Sequence, residues 1–218
     1  MDELLDYLER NDDALSRTVR TGEVNLGTNA KKRPPPITDA KLITKVSENR
    51  GKALALICTL SRRGPDQWFD FYSALILIAY QALDGLAVEG LLRRWEYDPK
   101  KYKVATTEHL VSPEEIPQEL YVLAQSTFSY LKTAPANGLK KVIAGLEWDL
   151  GIGPIHPFYD ACGRISRYFS SLVCLWSRQT LPIHSSREEY MAAAGAGRDQ
   201  FIEYWLARPT KFIGLAEG

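Results

Sequence analysis

The chain has 218 residues, enough to bury a sizeable core in a single domain with a short extension. Its 27 Lys plus Arg balance 27 Asp plus Glu, so it lacks the basic excess that a nucleic-acid binder carries, and a protein or small-molecule partner is expected instead. Three cysteines, Cys58, Cys162 and Cys174, fit neither a disulfide framework nor a zinc spacing and point to a reducing compartment.

A first helix is expected over 2–20. Its acidic start, Met1-Asp2-Glu3-Leu4-Leu5-Asp6, is unlike a signal peptide. This makes the cytoplasm the expected location and leaves export as an effector open. Lys31-Lys32-Arg33-Pro34-Pro35-Pro36 resists helix and reads as a linker. Thr38-Asp39 caps a second helix toward Leu60, and Pro65-Asp66 opens a third toward Trp95. Gln81 and Asp84 interrupt the apolar run over 71–88, so it reads as a buried helix and no membrane partner is expected. Between Tyr97 and Val111 the period changes. Tyr102-Lys103-Val104 and His109-Leu110-Val111 suit a small hairpin.

Ser112-Pro113-Glu114-Glu115 has the pattern of a capping box with Pro at the first helical position. Leu139, Val142, Ile143, Leu146 and Leu150 form one apolar helical face that stops at Gly151-Ile152-Gly153-Pro154. A helix over 163–178 and a pair after Ser186 complete the chain. The fold class expected is all-α with one small hairpin.

The chemistry is concentrated after that break, in Ile155-His156-Pro157-Phe158-Tyr159-Asp160-Ala161-Cys162-Gly163-Arg164-Ile165-Ser166-Arg167. Arg164 and Arg167 are three apart at a helix start and share a face. Cations there oppose the helix dipole, which suggests that an anion occupies the site. Exposed N–H groups of a helix N-terminus bind phosphate, and small residues allow its close approach. An acidic residue beside phosphate suggests Mg²⁺. A histidine next to both is a candidate general base. His109 and His184 have no such company and read as structural or solvated.

These residues resemble the motif of the Fic family, His-Pro-Phe-x-Asp/Glu-Gly-Asn-Gly-Arg-x-x-Arg. The match falls at His156, Pro157, Phe158, Asp160, Gly163, Arg164 and Arg167. Seven specified positions coincide by chance in about one window in 10⁹. Ala161 stands where Gly is usual, as in Doc-like and phosphocholine-transferring relatives, and Cys162 stands where Asn is usual.

The resemblance implies a Fic-fold helical bundle with a β-hairpin flap. It would comprise an N-terminal extension over 1–64 with an inhibitory helix over 38–60, a Fic domain over 65–207 and a tail over 208–218. It further implies transfer of AMP from ATP, with Mg²⁺, to a Ser, Thr or Tyr hydroxyl of a target protein. His156 would be the base and Asp160 the Mg²⁺ ligand. Backbone N–H groups of Ala161, Cys162 and Gly163 would bind phosphate, Arg164 the β-phosphate and Arg167 the γ-phosphate. Tyr102, Lys103, Val104, His109, Leu110 and Val111 would dock the target.

Thr44-Lys45-Val46-Ser47-Glu48-Asn49 matches the family's inhibitory pattern, in which Glu48 would pair with Arg167. About one chain of this length in six carries so short a pattern by chance. UMP, phosphocholine or phosphate as the transferred group, and a catalytically weakened interaction protein, are the alternatives. Cys162 at a helix N-terminus beside two arginines is expected to be a reactive thiol.

Overall fold

The computed structural model describes residues 2–15, 40–86, 90–94, 96, 109–158 and 161–213. Among them are eight helices: α1 (Asp2–Leu15), α2 (Ala40–Leu60), α3 (Trp68–Leu83), α4 (Ile116–Thr133), α5 (Ala136–Gly151), α6 (Cys162–Trp176), α7 (Arg187–Ala196) and α8 (Arg198–Leu206). Two short strands, β1 (Leu181–Pro182) and β2 (Thr210–Lys211), pair antiparallel with Leu181 opposite Lys211. The all-α expectation therefore holds, but this sheet is not the expected hairpin. Tyr102, Lys103 and Val104 lie outside the described residues, and 109–111 form no strand.

The amphipathic stripes explain the packing. α6 is buried along most of its length and lies against α5, α3 and α2. Phe71 of α3 meets Phe169 of α6 edge to face at 4.7 Å, an arrangement favoured by the ring quadrupoles. The α5 face is buried at Leu139, Ile143, Leu146 and Leu150, and the helix ends at Gly151 as its sequence predicts. Leu4, Tyr7, Leu8 and Leu15 of α1 belong to the same apolar cluster as α6, so the N-terminal helix shares the common core.

Local chemistry sets the helix ends. α3 starts at Trp68, where Gln67 and Asp70 make reciprocal capping bonds, and it stops at Leu83, well short of Trp95. Gly85 follows with φ +67°, a conformation that a side chain strains and glycine adopts freely. Asn49 of α2 donates its amide to the Asp84 carbonyl at 2.8 Å, and Lys45 pairs with the Asp84 carboxylate at 2.9 Å. Ser112 donates its N–H and hydroxyl to the Glu115 carboxylate at 3.2 and 2.9 Å, yet residues 113–115 form a turn and α4 begins at Ile116. The reason is Pro117. Having no N–H to satisfy, it is favoured in the first turn of the helix that follows.

Among the described residues the carboxylate of Glu147 is 1% exposed. It accepts from Ser170 Oγ at 2.6 Å, Tyr190 OH at 2.8 Å and Trp205 Nε1 at 3.1 Å. These donors come from α6, α7 and α8, so a single side chain of α5 joins three helices. Glu147→Leu strands the buried Tyr190 and Trp205 donors, each worth about 1–3 kcal/mol when unsatisfied, while Ser170 Oγ keeps the Arg167 carbonyl at 3.0 Å. Urea unfolding is expected to show a loss of roughly 3 kcal/mol or more.

Candidate active site

The catalytic-type motif spans the loop from α5 into α6. Gly151 lets the two helices meet closely. A Cβ there would lie 2.5 Å from Ser166 Oγ and 3.3 Å from the Gly163 Cα. His156 stands at φ +36° and Ala161 at φ +57°, both in the left-handed region that is costly for residues with a Cβ. Ala161 occupies the N-cap of α6 and no side chain caps it. The first amides of a helix have no partner within the helix.

A second strand of chain braces the loop. Leu92 and Phe158 form an antiparallel bridge, and the Arg93 N–H donates to the Pro157 carbonyl at 2.8 Å. The Arg93 side chain, 1% exposed, donates from Nε to the His156 carbonyl at 3.0 Å and from Nη2 to the Ile155 and Val111 carbonyls. Val111 in turn donates its N–H to the Pro154 carbonyl at 2.9 Å.

His156 is 6% exposed. Burial, and then the nearby Arg93 cation, bring its pKa down from 6.5 to about 4, against a smaller opposing pull from a hydrogen bond with the Gly151 backbone. The imidazole is therefore neutral at pH 7, the form a base requires. His184, also buried, is lowered to about 3 by desolvation and by Arg167 and Arg208. Unfolded imidazoles take up a proton near pH 6.5, whereas these two resist until about 4 and 3. The unfolded state binds more protons in that interval, so stability falls with falling pH. The unfolding free energy from urea titration is expected to be lower at pH 5 than at pH 7, by about 2 kcal/mol for each ring.

The motif arginines differ. Arg164 is half-buried, and no carboxylate pairs with it among the described residues. Arg167 is turned into the protein. It donates from Nη1 to the Gly163 carbonyl at 2.7 Å and lies over the Tyr190 ring at 5.5 Å. Its Nη2 reaches Asp12 Oδ1 at 3.5 Å. Asp12, 3% exposed on α1, also accepts from Arg50 Nε at 2.7 Å, and Asp13 takes another Arg50 nitrogen.

This arrangement corrects the expected inhibitory pair. Glu48 and Thr44 are exposed on α2, where they line an open groove with Ala40, Lys41 and Lys45. The carboxylate at Arg167 is that of Asp12. The i, i+4 geometry of α2 explains the difference, because the helix face that turns inward carries Val46, Asn49 and Ala53.

Cys162 also differs from expectation. It is 3% exposed, and its sulfur lies 3.4 Å from both the Phe158 N–H and the Phe158 carbonyl. The sulfur is thus turned toward the Phe158 backbone, and Cys162 is expected to be alkylated slowly rather than fast. Cys58 and Cys174 are buried, as their apolar helices predict, and burial raises both thiol pKa values.

His109 is exposed and Leu110 and Val111 are half-buried; Asp160 lies outside the described residues. The described residues contain no group of three or more acidic, His or Cys side chains that could hold a metal ion. None of their helices is long and apolar enough to cross a membrane. Sequence reasoning missed Arg93, Asp12 and Glu147. Arg93-Arg94 and Asp12-Asp13 look like solvated charge pairs, and only long-range packing distinguishes them.

No family model and no curated protein sequence matches this chain. Among solved structures it is similar to a Fic domain containing signalling protein from Bacteroides thetaiotaomicron VPI-5482. The identity is 15% and the TM-score 0.49, over 93% of this chain and 79% of that one.

Proposed function

We propose that this protein is a Fic-type protein adenylyltransferase whose nucleotide site is held closed by its own N-terminal helix α1. The observation that carries the reading is the fold of the motif itself. A neutral, nearly enclosed His156 sits in a strained loop, directly before an uncapped helix start that bears Arg164. That combination supplies a base, an anion-binding terminus and a cation within one short segment.

In this reading the target hydroxyl loses its proton to His156 as its oxygen attacks the α-phosphorus of ATP. The bond from the α-phosphorus to the bridging oxygen breaks, and pyrophosphate leaves. The amides of Ala161, Cys162 and Gly163 bind the charge that develops on phosphate, and Arg164 holds the β-phosphate. Mg²⁺, carried in with the nucleotide and held by Asp160, would neutralise the polyphosphate. This suits a site where a single protein carboxylate joins phosphate oxygens. Arg167 would meet the γ-phosphate once Asp12 releases it.

A second reading has one observation in its favour. The inward-turned Cys162 sulfur gives the phosphate no side-chain ligand at that place, as in a weakened Fic-like interaction protein. Isothermal titration with Mg²⁺–ATP, followed by intact-mass measurement, separates the two. The transferase gains the mass of an adenylyl group on itself or on an added target. A protein that binds no nucleotide and gains no mass, even when Asp12 is replaced, is not a transferase.

A further inference from the structure

Arg93 is a cation in the protein interior, and desolvation pulls its pKa down. Such a group stays only where hydrogen bonds compensate. Its acceptors are unusual in their distribution. The side chain takes the carbonyls of Ile155 and His156, and its own backbone N–H takes that of Pro157. Three consecutive carbonyls of the catalytic loop thus converge on one residue. The middle one belongs to His156 at φ +36°. A residue in that region relaxes to a commoner conformation unless its surroundings hold it. The rotation that relieves φ would swing the carbonyl that Nε holds at 3.0 Å.

The same guanidinium also takes the Val111 carbonyl. Val111 is the last residue of the stretch 102–111 read as the target-docking flap. One side chain therefore binds the backbone of the base and the far root of that stretch together.

The geometry points to Arg93 as the positioning residue of the transfer reaction, holding the His156 backbone in its strained conformation and fixing Val111 against the same loop. The role rests on the transferase reading, in which His156 is the base. It belongs to the planar guanidinium: Nε and Nη2 reach separate carbonyls from fixed directions, whereas a lysine ammonium supplies a point charge with no fork.

Arg93→Lys tests it with two readouts. The Cε1–Hε1 NMR signal of His156 at pH 7, assigned by its loss in His156→Ala, is expected to shift and broaden, while the signals of His109 and His184 stay in place. In the transfer assay kcat is expected to fall about 10²-fold with KM for ATP within about threefold, the pattern of a misplaced base on an intact nucleotide site. An unmoved His156 signal, or an unchanged kcat, in the folded variant overturns the assignment. A chain that transfers nothing even as Asp12→Asn defeats the transferase reading, yet the NMR comparison still decides whether Arg93 holds His156. If Arg93→Lys does not fold, Arg93→Gln is read in the same way. Failure of both to fold makes Arg93 a general core residue and also overturns the proposal.

Discussion

His156→Ala is expected to abolish transfer while leaving Mg²⁺–ATP binding within about twofold of wild type. Removing a general base costs about 10²–10⁴ in rate, and the nucleotide contacts proposed here come from the start of α6. The variant also removes a ring that is buried neutral, so its stability should depend less on pH between 6.5 and 4 than that of the wild type. Calorimetric titration beside a transfer assay checks both parts. For the wild type, the acid limb of the rate profile should lie near pH 4, because burial and Arg93 hold the imidazole neutral down to that point. A limb near 6.5 would mean that the base is exposed, and full activity in the alanine variant would remove His156 from the mechanism.

The second large effect is expected at Asp12. Its carboxylate lies between Arg50 and Arg167 in a buried junction of α1, α2 and α6. Asp12→Asn keeps the shape and removes the charge. Arg167 then loses its carboxylate partner and becomes available to phosphate, so the affinity for Mg²⁺–ATP should rise about tenfold, equivalent to about 1.4 kcal/mol. Transfer should rise with it. The fold should pay in the opposite direction, because two partly buried cations lose their common counter-charge, at about 3 kcal/mol. Glu48→Gly should change neither quantity, since Glu48 is exposed on the outer side of α2. Titration and thermal unfolding of both variants separate the cases. A folded Asp12→Asn protein with unchanged nucleotide affinity makes Asp12 a purely structural counter-ion, and a gain in Glu48→Gly alone restores the α2 reading.

What the sequence revealed and what it concealed divide along one physical line. The α5 stripe, the stop at Gly151, the start of α6 and the helix pair after Ser186 depend on residues within a turn or two of each other, and these agree with the structure. The helix over 2–20 is described only to Leu15. The predicted extension of α3 to Trp95 failed because Gly85 adopts a positive φ and the chain then turns to pair with the His156 loop, a contact between residues 92 and 158. The short hairpin was expected near 102–111, whereas the observed pair joins 181–182 to 210–211.

The candidate site follows the same division. His156, Ala161, Gly163, Arg164 and Arg167 stand out by spacing, and the structure brings them to one loop and one helix start. The side chains that orient them do not. Arg93 acts across 63 positions at the His156 carbonyl, and Asp12 across 155 positions at Arg167. Neither pairing leaves a local pattern. The Thr44–Asn49 match misled because Asn49 serves another purpose, capping the end of α3 through the Asp84 carbonyl.

Two labels on ATP test the adenylyl-transfer mechanism. Asp12→Asn protein is incubated with Mg²⁺ and a target extract, once with ATP labelled at the α-phosphorus and once with ATP labelled at the γ-phosphorus. The α-label should appear on protein, with unlabelled pyrophosphate released, and it should vanish when His156→Ala is added to the same chain. The γ-label should leave in pyrophosphate. Appearance of the γ-label on protein, or absence of both labels from protein in a folded variant that binds ATP, contradicts it.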